Sequence, residues 1–278
     1  MYRSTYNNKI LNSEKLPPIK KPFSWKKFLL FFSGILILVG LIFFIKNDRF
    51  QLKKIEIDGV IVVDKEEVSK FVMESLNGKY LYFFPKTSIL LINSKSIGEE
   101  IKRSFPRFKS VEVNRSGFNS LRINTTEYLG TYLWCENQES SQCSFMDESG
   151  IVFAEAPYFS GDAYSKIYGG GNLKNYPFNP ISNQNIIFIK LLKSKLFDIG
   201  IKTIDYDFIS DDELSVSFYH NSQISKILIN PNNDIDLIIN IIYTGIRTEP
   251  LSTMYHEETK YLEYLDVRFD NKLIYKFK

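Results

Sequence analysis

The chain has only two histidines and two cysteines in 278 residues, and that scarcity narrows the chemistry open to it. Cys135 and Cys143 are not spaced as C-x-x-C and have no histidine beside them, so neither a zinc motif nor a redox motif is present. G-x-S-x-G and H-E-x-x-H are missing. The triple glycine Gly169–Gly171 lacks the Gly-Lys-Ser/Thr ending that would place a lysine on phosphate. An S-x-x-K, Ser24 to Lys27, falls in the N-terminal tail with no domain around it. His220, before Asn221-Ser222-Gln223, reads as a solvated residue at a hairpin tip, and His256 as one in a polar loop. The carboxylate pairs Asp211/Asp212 and Glu257/Glu258 lie in polar turns, where they stay hydrated, whereas acid–base work needs a desolvated carboxyl. We therefore expect no catalytic residue, no metal, no cofactor and no small-molecule substrate.

What the chain does have is one long stretch without charge. Phe28–Ile45, FLLFFSGILILVGLIFFI, runs for eighteen residues between Lys26-Lys27 and Lys46. That is near the minimum that crosses a bilayer as a helix. The alternative is a signal peptide, but the run is long for its apolar region and no small-x-small cleavage site follows Ile45. Residues 1–27 carry seven cations against Glu14, a net of +6, which predicts a cytoplasmic N-terminus. The whole chain is +3, so residues 46–278 are net −3 and are expected outside the cytoplasm. A mildly acidic domain argues against nucleic acid, whose phosphates call for concentrated Lys and Arg. The tail 1–27 holds Pro17, Pro18 and Pro22 with little apolar periodicity and reads as disordered. The remainder, in a chain 44% hydrophobic and 15% aromatic, is globular and large enough for one or two domains.

Residues 50–127 read as β-α-α-β-β. FQLKKIEIDG is a strand ending at Gly59. Asp64 and Glu67 resemble a capping box before a helix with Val68, Phe71, Val72 and Leu76 on one face. YLYFFPKTSILLI fits short strands or an irregular loop. Ile97, Ile101 and Phe105 then mark a helix stopped by Pro106. KSVEVNR and NSLRINTTE alternate as a hairpin. Residues 128–278 are β-rich with two helices. Ile187, Leu191 and Leu192 mark the first, and Ile235, Ile238, Ile239 and Ile242 the second. Residues 154–182, with Gly169, Gly170, Gly171 and three prolines, read as an irregular connection. KYLEYLDVRF and KLIYKF, joined at Asp270-Asn271, finish a sheet. Outside the cytoplasm, Cys135 and Cys143 either staple the loop between two strands, which would contribute about 2–3 kcal/mol, or remain free thiols. The fold class is α+β, with one transmembrane helix ahead of two units.

These segments carry a resemblance. The strand ending in Gly59, the Phe105-Pro106 stop and the pair "VEVNR … SLRINTTE" closing on Glu127 resemble a POTRA domain of the FtsQ/DivIB cell-division family. SFMDESGIVF is similar to the family's D-x-x-G-x-V/I-F strand and turn, with Asp147, Gly150 and Phe153 in place. The ending at Leu265, Asp266, Val267, Arg268, Phe269, Asp270 and Asn271 resembles the family's terminal strands. Tyr128 departs from the pattern, since members often have Arg there. The resemblance implies a POTRA domain at 50–127 and an FtsQ-type β-domain at 128–278. It also implies a non-enzymatic, single-pass scaffold at the division septum, linking early ring components to septal wall synthesis through FtsB- and FtsL-like membrane partners. A different reading is a membrane-anchored, chaperone-like POTRA component of a secretion or envelope-assembly pathway, which should show tandem POTRA repeats. An anchored cell-wall enzyme would need a desolvated carboxylate in a polar cleft of the second unit. The expected partner surface is the last strand pair, with Tyr264, Arg268, Phe269, Leu273 and Tyr275. An edge strand offers unpaired N–H and C=O groups to a partner's strand. On this basis Leu273→Pro should abolish partner binding while the first unit stays folded, and unchanged binding by a folded variant would sink strand addition.

Overall fold

The computed structural model describes residues 25–140, 142–159, 161–169, 175–269 and 271–278. The expected disordered tail lies almost wholly outside these residues, as do Gly170, Gly171 and Asp270. Helix α1, Trp25–Ile45, begins three residues before the charge-free run, taking in Trp25, Lys26 and Lys27. It is long and apolar enough to cross a membrane.

The first unit places β1 (Lys54–Asp58), α2 (Lys65–Ser75), β2 (Lys79–Tyr80), β3 (Phe84–Pro85), α3 (Ser94–Ser104), β4 (Phe108–Arg115) and β5 (Ser120–Glu127) in that order. The segment left open between strands and loop is a two-residue hairpin, β2 against β3, with turns on either side. The main sheet runs β1-β5-β4, with β1 parallel to β5 and β5 antiparallel to β4. Alternation puts Ile57, Leu121 and Ile123 on the inner face, where they meet Val68, Val72, Ile97 and Ile101 of the two helices. Asp64 caps α2 by accepting from Glu66 N–H (2.9 Å), and Asn93 caps α3.

Glu127, the last residue of β5, has a fully buried carboxylate. It accepts from the backbone N–H groups of Ile61 (2.8 Å), Val62 (3.1 Å) and Val63 (3.1 Å), in the loop after β1. Arg107 Nε lies 3.6 Å from the same carboxylate. The Arg107 guanidinium also sits 5.4 Å from the Phe145 ring and 5.3 Å from that of Phe153, both in the second unit. Tyr128 stacks on Phe153 with centroids 5.3 Å apart.

The second unit contains β6 (Tyr132–Cys135), β7 (Cys143–Met146), β8 (Val152–Glu155), β9 (Ser165–Tyr168), α4 (Asn183–Asp198), β10 (Thr203–Ser210), β11 (Glu213–His220), β12 (Gln223–Ile229), α5 (Ile235–Gly245), α6 (Leu251–His256), β13 (Leu262–Asp266) and β14 (Ile274–Phe277). One nine-stranded sheet joins them in the order β14-β13-β12-β11-β10-β9-β6-β7-β8. Three pairs are parallel and need crossovers: β7 and β8 lie between β6 and β9, α4 between β9 and β10, and α5 and α6 between β12 and β13. Helices α4 and α5 bury Ile189, Leu192, Leu196, Ile238 and Ile242 with Trp134, Tyr206 and Phe218 of the sheet.

Four expectations are corrected. The stretch 154–182 contains β9, a central strand bridging β6 and β10. Its SKIY is too short to show alternation among glycines and prolines. On α4 the buried stripe is Ile186, Ile189, Leu192 and Leu196, whereas Ile187 is 57% exposed and Leu191 is also exposed. Apolar residues nearly encircle this helix, so spacing alone does not single out one face. His220 does sit beside a hairpin turn, yet it is buried, with Nε2 2.8 Å from the Tyr255 carbonyl and its ring against Tyr255. His256 closes the short helix α6 rather than lying in a loop. Cys135 and Cys143 face each other across β6 and β7 and are joined as a disulfide.

Glu127→Ala should lower unfolding stability by about 3 kcal/mol, because it leaves three backbone N–H groups without their acceptor and the Arg107 cation without its counter-ion. Chemical denaturation of the variant checks this, and a change below about 0.5 kcal/mol, the range of neutral surface substitutions, would contradict it.

Candidate partner-binding site

The C-terminal strand pair forms one end of the large sheet. β14 runs antiparallel to β13, with Asp266 opposite Ile274, Leu265 opposite Tyr275 and Tyr264 opposite Lys276. Lys278 donates its N–H to the Tyr261 carbonyl (2.9 Å). Along a strand, successive residues turn both backbone groups to opposite sides. Ile274 and Lys276 therefore point N–H and C=O toward β13, and Tyr275 and Phe277 point theirs outward. Among the described residues no strand pairs with this outer side. The other end of the sheet is different, because Val152 on β8 exchanges two backbone hydrogen bonds with Phe178 (2.8 and 2.9 Å).

Side chains on β14 alternate in the opposite sense to the expected list. Leu273, Tyr275 and Phe277 turn inward and pack on the core, Leu273 reaching so close to Gly245 that a Cβ there would collide with it. Ile274 and Lys276 lie on the outer face with Tyr264, which is half-buried. Phe269, half-exposed, precedes the turn into β14. Arg268 is already engaged. Its N–H, Nε and Nη2 donate to Asp266 (3.1, 3.0 and 2.7 Å), and Nη1 reaches Glu213 on β11 at 2.9 Å. The Leu-Asp-Val-Arg segment is thus a brace tying the end of β13 to β11. Burial acts to raise the Asp266 carboxyl, but bonds to the Arg268 side chain and N–H outweigh it and hold the group below the usual carboxylate range. Lys276 pairs with Glu263 at 2.7 Å, and that bond holds Glu263 below its usual range too.

Of the five expected residues, the structure gathers all on or beside the last two strands and leaves Phe269, with Tyr264 in part, to meet a partner through its side chain. Tyr275 offers backbone. Leu273 precedes β14, so a proline there disturbs the core as well as the edge. Ile274, Lys276 and Phe277 were not picked out by sequence, since only the register shows which groups face outward.

Elsewhere in the second unit, burial raises the Asp205 carboxyl above its usual range. Its Oδ1 accepts from Lys166 N–H (3.1 Å) and helps hold β9 to β10. A cleft of about 410 Å3 is lined by Asp162, Lys193, Phe197, Lys202 and Tyr219, among others, and Asp205 does not line it. Among the described residues no group of three or more His, Cys, Asp and Glu side chains is placed to hold a metal.

No family model matches the chain. It is similar to an uncharacterized protein of Aquifex aeolicus (strain VF5), 25% identical over 208 residues that cover 63% of this chain and 94% of that protein.

Asp266→Asn should destabilise the domain by about 1–2 kcal/mol at pH 7 through the weakened bonds to Arg268. A carboxyl depressed in the folded state stabilises above its unfolded value, about 3.9, and the contribution is lost as pH falls through the folded value. The stability gap between the wild type and Asp266→Asn should therefore shrink as pH drops below about 4. Thermal melts from pH 7 to 3 measure it, and a gap constant across that range would contradict the assignment.

Proposed function

We propose that this chain is an FtsQ/DivIB-like scaffold of the division site, anchored by α1 with its N-terminus in the cytoplasm and its two units outside. It holds FtsB- and FtsL-like membrane proteins through its terminal strand and acts by binding, without catalysis. In this reading residues 50–127 are the POTRA domain and 128–278 the FtsQ-type β-domain. The observation that carries the proposal is the open edge of β14. Its outward N–H and C=O groups at Tyr275 and Phe277 are available, whereas on the opposite edge Val152 is already bonded to Phe178. A partner segment adding as a tenth strand gains main-chain bonds at these groups, and the outer face beside them, with Ile274 and Tyr264, selects its alternate side chains.

Further support comes from where the family-like residues fall. Asp147 accepts from Ser149 N–H and Ile151 N–H (both 2.9 Å), and Gly150 takes a φ of +85° against Ile186 of α4. Glu127 and the Asp266–Arg268 pair each close a junction. Every one of these motifs has a structural task, in keeping with a domain whose recurring residues shape a binding surface rather than a reaction centre.

The test compares two substitutions at one position. Tyr275→Ala and Tyr275→Pro both remove the ring, but only proline removes the outward donor, and an edge strand tolerates it there. With the FtsB-like protein of the same organism, Tyr275→Pro should bind roughly tenfold more weakly than Tyr275→Ala, the worth of about one hydrogen bond. Equal binding by the two folded variants would rule out strand addition at this edge.

A further inference from the structure

Large apolar side chains gather at the end of α1 from which the folded units emerge. The turn between β2 and β3 carries Tyr80, Leu81, Tyr82 and Phe83, all exposed, with Tyr82 at 91%. Phe83 N–H donates to the Tyr80 carbonyl (3.2 Å), while Leu81 and Tyr82 hold φ values of +47° and +63°. Glycine or asparagine fills such left-handed positions with less strain. Here the turn instead presents two bulky side chains to the outside.

The location of this tip is fixed by its neighbours. β3 packs beside α1. Ile45 is the one buried residue of α1. Gln51 donates its side-chain amide to the Ile45 carbonyl (3.0 Å) and bridges to Ser88, three residues past β3. A second tip lies at the same level. Lys53 N–H donates to the carbonyl of Asn119 (2.8 Å) in the β4–β5 hairpin, whose Phe118 is 76% exposed. Aromatic contacts run from the helix to this tip, Phe44 to Phe50 at 4.9 Å and Phe50 to Phe118 at 6.1 Å. Around the two tips, residues 46–53 and 77–87 hold Lys46, Arg49, Lys53, Lys79 and Lys86 against Asp48 alone.

We propose that this end of the first unit docks on the bilayer that α1 spans. Its occupant is the leaflet on the C-terminal side of α1. Tyr80–Phe83 and Phe118 seat at the boundary between headgroups and acyl chains, and the five cations meet lipid phosphates. Tyrosine with flanking lysine suits this layer, since the ring body is apolar while the hydroxyl and ammonium stay wet. Positive charge at this height complements anionic headgroups. Because α1 tethers the surface beside the membrane, contacts too weak to recruit a free protein suffice to hold it. Docking fixes the tilt of the folded units on the membrane, which a single helix and a short stalk do not. It presupposes that α1 spans a bilayer and is independent of the division proposal.

The test uses the full chain in vesicles of zwitterionic and anionic phospholipid. Single cysteines, Tyr82→Cys, Phe118→Cys, Ile61→Cys and Leu38→Cys, carry an environment-sensitive fluorophore, and the oxidised Cys135–Cys143 pair does not compete for the label. Nitroxide lipids with the quencher near the headgroup or deep in the chain report depth. Positions 82 and 118 should show blue-shifted emission and lose fluorescence to the shallow quencher. Position 38 should lose it to the deep quencher, and position 61, at the far end of β1, to neither. If 82 and 118 behave like 61 while 38 is quenched, the chain is anchored but the tips do not dock, and the proposal fails. If 38 escapes the deep quencher, α1 does not span, and the proposal falls with its premise.

Discussion

The buried Glu127 carboxylate is the interaction on which the arrangement of the two units turns. A charge removed from water must be fully partnered. Three consecutive N–H groups from the loop after β1 and the Arg107 cation do this for Glu127. Each partner brings a different part of the chain with it. The loop fixes the end of β1 against β5, while Arg107 carries the knot across to Phe145 and Phe153. Arg107 Nε is buried without a hydrogen bond of its own, so the guanidinium depends on the ion pair and the two aromatic faces. Tyr128, next to Glu127, stacks on Phe153 and hydrogen-bonds the Arg107 carbonyl through its N–H (2.9 Å). One carboxylate thus specifies both the closure of the first sheet and the start of the second.

Beyond that junction the second sheet is governed by its need to satisfy backbone groups. Nine strands in an open sheet leave two edges, and an edge is blunted, covered or used. Phe178 is bonded to Val152 on β8. Lys276 on β14 and Lys278 just past it discourage indiscriminate pairing, yet the groups facing outward at 275 and 277 remain free of any strand among the described residues. Helices α4, α5 and α6 share one core with the sheet, and among the described residues the β14 edge is left for contact. Selection of alternate side chains beside an edge, with affinity from the main chain, is the physics of strand addition.

Much of the first unit was legible because its signals are local. Asp64 caps one helix, Pro106 stops the other, and Val111, Val113, Leu121 and Ile123 alternate with polar neighbours. The long charge-free run likewise announced α1. What stayed hidden depends on partners distant in sequence. SKIY becomes β9 only because β6 and β10 flank it, and the buried stripe of α4 is chosen by the sheet beneath rather than by spacing. His220 looks exposed in a polar stretch, but α6 brings Tyr255 onto it. At the candidate site the strand pair and its aromatic content were readable, whereas the separation of inward side chains (Leu273, Tyr275) from outward backbone needed the register. Arg268 reads as a free cation in sequence and is consumed by Asp266 and Glu213 in space.

The central claim is that this anchored pair of units belongs to the division site. The most direct measurement is the position of the full chain in growing cells, with a fluorescent tag at its N-terminus, ahead of α1. The account predicts a band at midcell that appears as constriction begins. A uniform envelope signal in dividing cells would contradict it and turn the open β14 edge toward partners of an envelope-assembly pathway.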